Sequence, residues 1–140
     1  MKNHATIPRP TDSELEILNI LWKTGPATVR QVHDELSKTK PSQYTTTLKL
    51  MQIMAEKGLV DRDESARSHV YAPAVPQEQA QRQIAGDLME RVFGGSLRSL
   101  VIGALGVRRA TKSELQELRQ LIEEHAGNAQ GKRSGKGRTS

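Results

Sequence analysis

Gln43, Thr45, Thr46, Lys49 and Gln52 fall within one ten-residue stretch, and every one of them can donate a hydrogen bond. Lys49 adds a positive charge. Side chains of this kind, raised on one face of a helix, suit the major groove of DNA. Each base pair there presents its own pattern of donors and acceptors, and phosphates flank the groove on both sides. Polar residues at these positions would equally serve an ordinary solvated helix. The elements that hold them therefore decide between the two readings.

The spacing predicts the helix itself. Leu50, Met51 and Met54 share a stripe that Thr47 and Gly58 extend, so one face packs inward and the glycine suits a C-cap. Gln43, Thr45, Thr46, Lys49 and Gln52 then project outward. After Lys57-Gly58, the runs Leu59–Arg62 and His69–Tyr71 read as two short strands around the polar connection Glu64–Ser68. A helix running directly into a hairpin is the wing arrangement of a winged helix. Arg67 at the hairpin tip has the guanidinium fork that fits phosphate oxygens or a minor groove. Arg62 either joins that contact or only pairs with neighbouring Asp61 and Asp63, and the pairing is the favoured reading.

Upstream, Thr11-Asp12-Ser13-Glu14 is a capping box behind Pro10, so a first helix starts near Thr11 or Asp12. Its face of Leu15, Ile17, Leu18, Ile20, Leu21 and Trp22 marks a core helix that stops at Gly25-Pro26, with Trp22 as a core anchor. A second helix, Val29–Leu36, carries Val29, Val32, His33 and Leu36 at helical spacing. Lys38 to Pro41 turns the chain into the long helix. Helix, helix, turn, helix, hairpin is the order of a winged helix-turn-helix.

The second half reads as three more helices. Gln77–Phe93 repeats Ala80, Ile84, Leu88 and Val92 at every fourth position. Gly94-Gly95 breaks it, Ser96 offers an N-cap, and Leu97, Leu100, Val101, Ala104 and Leu105 form a short helix. Thr111–Glu114 is another capping box, followed by Leu115, Leu118, Leu121 and Ile122, with His125 at the end of the last helix. Three single-stripe helices have little thickness for a core of their own, so pairing with a second copy is the expected solution. Leu88, Leu97, Leu100, Val101, Leu115, Leu118 and Ile122 are the residues expected to make the homodimer contact. A two-fold dimer would set two recognition helices on the half-sites of a palindrome. The competing arrangement folds these helices back onto the winged domain.

The segments PTDSELEILNILWKTGPATVRQVHDEL, YTTTLKLMQIMAEKGLVDRD and SHVYAPAV resemble the penicillinase repressor family, the BlaI/MecI/CopY group of bacterial transcriptional repressors. The likeness runs from about Thr6 to His125, and Tyr44-Thr45-Thr46 followed by Lys57-Gly58-Leu59 is its most specific part. The resemblance implies a winged helix that binds an operator in double-stranded DNA, with Tyr44 joining the contact set, and a helical region that makes a homodimer. It also implies relief of repression by a membrane sensor peptidase that cuts the helix matching Leu97–Leu105. The Asn-Phe bond cut in the BlaI/MecI branch is absent, the region reading Val101-Ile102-Gly103-Ala104, so cleavage at another bond stays open. Copper sensing through a Cys-x-Cys pair is excluded, because the chain has no cysteine.

The expected organisation is thus a flexible stretch 1–10, a winged helix 11–75, a helical dimerisation region 76–126 and a disordered basic tail 127–140; the fold class is mainly α with a small β-hairpin. Formal charge is +5, but residues 1–73 hold ten Lys/Arg against nine Asp/Glu, residues 74–125 seven of each, and the remainder four against none. The basic excess is almost all tail, where Lys132, Arg133, Lys136 and Arg138 could add nonspecific phosphate attraction. The placement of charge on one face, not its total, would have to favour DNA. Zero cysteines fit a cytoplasmic protein. No signal segment or membrane-length apolar run is present, so no membrane insertion is expected. No nucleophile elbow or phosphate-cradling glycine loop points to an enzyme. His4, His33, His69 and His125 lack partners at i+3 or i+4, so neither metal nor cofactor is expected. The alternative function is a winged helix that contacts a protein instead of an operator.

Overall fold

The computed structural model describes residues 6–139, with side chains described to Asn128. The chain forms two compact units that meet between Val92 and Phe93. In the first, the order is α1 (Asp12–Thr24), β1 (Ala27–Thr28), α2 (Val29–Ser37), α3 (Tyr44–Lys57), β2 (Val60–Asp63), β3 (Val70–Pro73) and α4 (Gln77–Val92). The second holds α5 (Leu97–Val107) and α6 (Lys112–Thr139).

Caps set where the helices begin. The Thr11 hydroxyl accepts from the Glu14 amide while the Glu14 carboxylate accepts from the Thr11 amide, as the sequence predicts. Thr28 and Gln31 do the same for α2, in a box the sequence reading passed over. α3 ends at Gly58 with φ +84°, in the left-handed region where a side chain would be strained. Leu59 then enters the core and the chain turns into β2.

Three strands form the sheet, not two. The order is β1-β3-β2, all antiparallel, with Ala27 opposite Tyr71 and Arg62 opposite Tyr71 from the other side. β1 is only two residues long, and it pairs because β3 offers it an open edge. The wing strands lie one residue or so later than the sequence suggests, so His69 sits in the loop ahead of β3.

The core is made where α1, α2, α3 and the sheet converge. Ile17, Leu18 and Leu21 meet Val32, Met51, Met54, Leu59 and Tyr71, all essentially inaccessible. Trp22 is half-buried against this cluster, and its indole Nε1 donates to the Val75 carbonyl at 3.0 Å. Glu14 is a charged group inside: it is 2% exposed and takes the Lys57 ammonium at 2.8 and 2.9 Å. Burial pushes its carboxyl up, but the Lys57 ammonium and the Thr11 cap bonds outweigh that, and the net shift is downward. One residue thus starts α1 and ties it to the end of α3.

Two expected boundaries move. Residues 6–10 are not a loose lead-in, because Ile7 is buried in the core. Its backbone amide and carbonyl bond the Gln83 side chain of α4, and Arg9 reaches Asp87 at 3.2 Å. Residues 1–5, with His4, lie outside the described residues. α4, expected to begin the dimerisation region at residue 76, packs within the winged unit through Ala80, and its stripe emerges along its length: Ala80 0% exposed, Leu88 37%, Val92 61%. The reason is the segment 6–10, a strap that gives α4 a partner within the chain through Gln83 and Asp87.

In the second unit, the Ser96 hydroxyl caps α5 and Thr111 caps α6 through Glu114. Phe93 packs its ring so close to Gly103 that a Cβ there would stand 3.0 Å from it. α6 carries the backbone beyond residue 126, where a disordered tail was expected, to Thr139. No proline interrupts it, and its glycines weaken a helix by about 1 kcal/mol each without ending it. His125 accordingly lies within α6 and not at its terminus. The tail side chains Lys132, Arg133, Lys136 and Arg138 lie outside the described residues.

Candidate nucleic-acid interface

α2, the turn 38–43 and α3 make a helix-turn-helix, with α3 as the second helix. Its inward face is set by Thr47, Met51 and Met54, which are buried. Geometry then divides the outward residues. Thr45, Lys49 and Gln52 stand at i, i+4 and i+7, on one exposed stripe that Glu56 continues at i+11. Thr46 is exposed about 100° round the helix from Thr45. Gln43 is the exposed N-cap residue, and its side chain makes no capping bond. With no acidic residue in the first turn either, the positive end of the α3 dipole faces outward uncompensated.

Tyr44 is half-buried and turned aside from that stripe. Its ring lies beneath the Arg30 guanidinium, whose Cζ is 4.4 Å from the ring centroid, and meets the His33 ring edge-on at 5.6 Å. His33 is itself held, with Nδ1 3.2 Å from the Thr47 hydroxyl and Nε2 3.4 Å from that of Ser37. Tyr44, Gln52 and the wing residues Arg67 and His69 line one cleft together with Thr28 and Arg30 from the start of α2. The sequence reading missed Arg30. It lies in α2, fourteen positions before Tyr44, and only the folded helix pair brings them together.

The wing loop is opened by Asp63, whose carboxylate accepts from the Ser65 amide at 2.9 Å and is held below the usual range by that bond. Arg62 pairs with Glu64 at 2.9 Å, a carboxylate just beyond the end of β2 that the sequence reading did not name as its partner. Arg67 is exposed and makes no hydrogen bond or ion pair among the described residues, and neither does Lys49.

Charge placement follows. The unit is close to neutral, and five of its carboxylates are held in ion pairs: Glu14 by Lys57, Glu16 by Lys40, Glu35 by Lys38, Glu64 by Arg62, Asp87 by Arg9 and Arg91. Lys49, Arg67 and Arg30 remain as cations without a carboxylate partner around the outward side of α3, with Glu56 as the acid at its far end. No group of three or more metal-ligating side chains occurs among the described residues, and no described helix is long and apolar enough to cross a membrane.

A helix-turn-helix with a three-stranded wing and donors on the outward face of its second helix defines a winged-helix DNA-binding protein. The penicillinase repressor family matches residues 10–124, and the chain belongs to that family of transcriptional repressors, which are not enzymes. It is 29% identical over 119 residues to the penicillinase repressor of Bacillus licheniformis, covering 85% of this chain and 93% of that one. It is 31% identical to the transcriptional regulator BlaI of Mycobacterium tuberculosis, over 86% of this chain and 87% of the relative. The methicillin resistance regulatory protein MecI of Staphylococcus aureus is 22% identical over 80% and 91%. Among solved structures, the solution structure of the DNA-binding domain of the repressor BlaI aligns with a TM-score of 0.47 at 28% identity, over 53% of this chain and 90% of that one.

Proposed function

We propose that two copies of this chain pair through the helices that follow the winged helix and set their α3 helices on the half-sites of a palindromic operator. The observation that carries the DNA contact is the exposed stripe of Thr45, Lys49 and Gln52 beside an unpaired Arg67. Gln43 and Thr46 complete the contact set on α3, with Tyr44 at its edge against Arg30. The helix reads base edges while the wing cation meets phosphate. Pairing is supported by surface: Leu88, Leu97, Val101, Leu115, Leu118 and Ile122 are all exposed apolar side chains, and only Leu100 of the expected set is half-buried. α5 buries no residue at all. Two linked half-site contacts bind far more tightly than one.

Lys49→Ala or Thr46→Ala should weaken operator binding roughly tenfold while sedimentation still shows the dimer. The operator is first recovered by pulling down genomic fragments across a salt titration. Retention without sequence selectivity would point to the protein-interaction reading. Unchanged gel-shift affinity in both variants would remove α3 from the contact.

Relief of repression completes the proposal: a membrane sensor peptidase in the cytoplasm's bounding membrane cuts within α5, whose Val101 and Ile102 are exposed. Cleavage separates α6 from the winged unit and so weakens pairing. Co-expression with the peptidase of a neighbouring gene should yield a fragment ending between 97 and 107 by mass spectrometry. An intact chain that nevertheless leaves the operator would refute this step.

A further inference from the structure

The cleft between α2, α3 and the wing differs from the other clefts described on this surface in one respect: no carboxylate lines it. Three others carry Asp34 and Glu35, Glu16 and Glu35, or Glu56, Asp61 and Glu64. This one carries Arg30, Arg67 and His69, with the hydroxyls of Tyr44 and Ser68 and the amide of Gln52. An anion entering it meets donors and cations with no opposing charge.

We infer that this cleft seats one phosphate of the DNA backbone, that Arg30 is its principal ligand, and that Tyr44 acts by holding Arg30 in place. The inference rests on the operator-binding reading above and extends it to a residue outside α3 and the wing.

The geometry supports each part. A free arginine on a surface helix loses rotamer freedom when it binds a phosphate. Arg30 has lost some of it already, because its guanidinium sits over the Tyr44 ring, with Cζ 4.4 Å from the ring centroid. No hydrogen bond or ion pair of Arg30 occurs among the described residues, so its N–H donors remain for a phosphate. The ring is fixed in turn by the edge of His33, which the Thr47 and Ser37 hydroxyls hold from either side. Thr47 is buried in α3, so the series Thr47, His33, Tyr44, Arg30 transmits the position of the recognition helix to a phosphate ligand on its neighbour. Tyr44 lies off the Thr45-Lys49-Gln52 stripe, which fits a residue that acts through Arg30 more than by touching bases.

The test uses the full-length chain and two duplexes, the operator and a scrambled sequence of equal length, with affinity measured over a range of salt. Arg30→Ala should weaken binding to both duplexes by a similar factor, about tenfold at low salt, and reduce the slope of log affinity against log salt by about 0.9 per protomer bound. Tyr44→Leu should show a smaller loss of the same kind, and the double variant should be no weaker than Arg30→Ala alone. Tyr44→Phe keeps the ring and should lose less than Tyr44→Leu. An unchanged slope in Arg30→Ala, or loss confined to the operator duplex, overturns the phosphate assignment. Equal losses in Tyr44→Phe and Tyr44→Leu, or additive losses in the double variant, overturn the positioning role. Circular dichroism melting of each variant separates these results from misfolding, since Arg30 is exposed and its loss should leave the melting temperature in place. If the wild-type chain retains neither duplex, the operator reading fails as well; if it binds and Arg30→Ala binds equally, only this inference fails.

Discussion

The two units of this chain are built from helices of similar amphipathic pattern, yet one has an interior and the other does not. In the winged unit fifteen apolar side chains are buried, from Ile7 to Ala80. From Phe93 to Asn128 no described residue is buried, and Val101, Ile102, Leu105, Leu118 and Leu121 are each more than two-fifths exposed. A stripe of leucines therefore does not make a core by itself. What makes one in the winged unit is convergence: three helices cross, a sheet closes the remaining side, and a strap seals the edge with Ile7. Two successive helices offer no third surface, and their stripes remain available to another copy of the chain.

Two substitutions set this contrast most directly. Ile17→Ala removes a side chain that is fully enclosed, and urea unfolding should show a loss of roughly 2–5 kcal/mol at any protein concentration. A loss below about 1 kcal/mol would mean the winged unit is far looser than its burial implies. Leu118→Asp, on a half-exposed position of α6, should do the reverse. The winged fold persists by circular dichroism, while the dimer dissociation constant from sedimentation rises about a hundredfold. An unaltered dimer would exclude α6 from the proposed pairing.

Much of this was legible in the sequence where the cause is local. The Thr11 capping box, the Gly58 stop, the Thr47-Met51-Met54 stripe and the Ser96 cap each depend on neighbours within four residues, and each stands where the spacing puts it. The Thr28-to-Gln31 box carried the same local signal and could have been found. The remainder depends on residues far apart. β1 exists only because β3 presents an edge, Ile7 is held by Gln83 some 76 positions away, and Arg30 gains its seat only when α2 and α3 cross. The near-neutral charge of the first 73 residues gave little reason to expect a cationic face either. Ion pairs take up several of the acids and leave Lys49 and Arg67 free, and a sum over sequence does not record pairing.

The Glu14–Lys57 pair sharpens the contrast from the electrostatic side. The Glu14 side chain is 3% exposed and Lys57 33%. Lys57→Met should therefore cost roughly 1–3 kcal/mol, less than a fully enclosed pair because water screens the lysine. The pH dependence has a definite sign. The folded carboxyl titrates below the ordinary value of 4.5, so the unfolded chain binds the proton first as pH falls. The stabilisation is complete above about 4.5 and disappears as pH drops through the folded value. In Lys57→Met the burial that raises the carboxyl is no longer offset by the ammonium, so the folded value moves up toward or past the unfolded one, and this acid-side loss of stability should shrink or reverse. Matching acid-unfolding curves for the two proteins would deny Glu14 its buried role.

The counterpart in the second unit is Glu114, where the same kind of chemistry occurs in the open. Arg108 grips it with two bonds of 3.0 and 2.7 Å, the Thr111 amide adds a third, and its pKa falls from 4.5 to about 2. The lowering is due first to the Arg108 hydrogen bonds, then to the cap. Arg108→Ala should raise the Glu114 pKa most of the way back, and carbon-detected NMR titration of the side-chain carboxyl measures it directly. The folded state should hardly notice, because both side chains face water, at 67% and 43% exposure, and solvent and salt screen the pair. So two carboxylates in equivalent N3 capping positions should respond oppositely to losing their cations: Glu14 with a change in stability, Glu114 with a change in titration alone. A melting temperature that falls in Arg108→Ala as far as in Lys57→Met would show that α6 is supported by more than its own turn, and that the second unit is less dependent on a partner copy than its bare apolar surface implies.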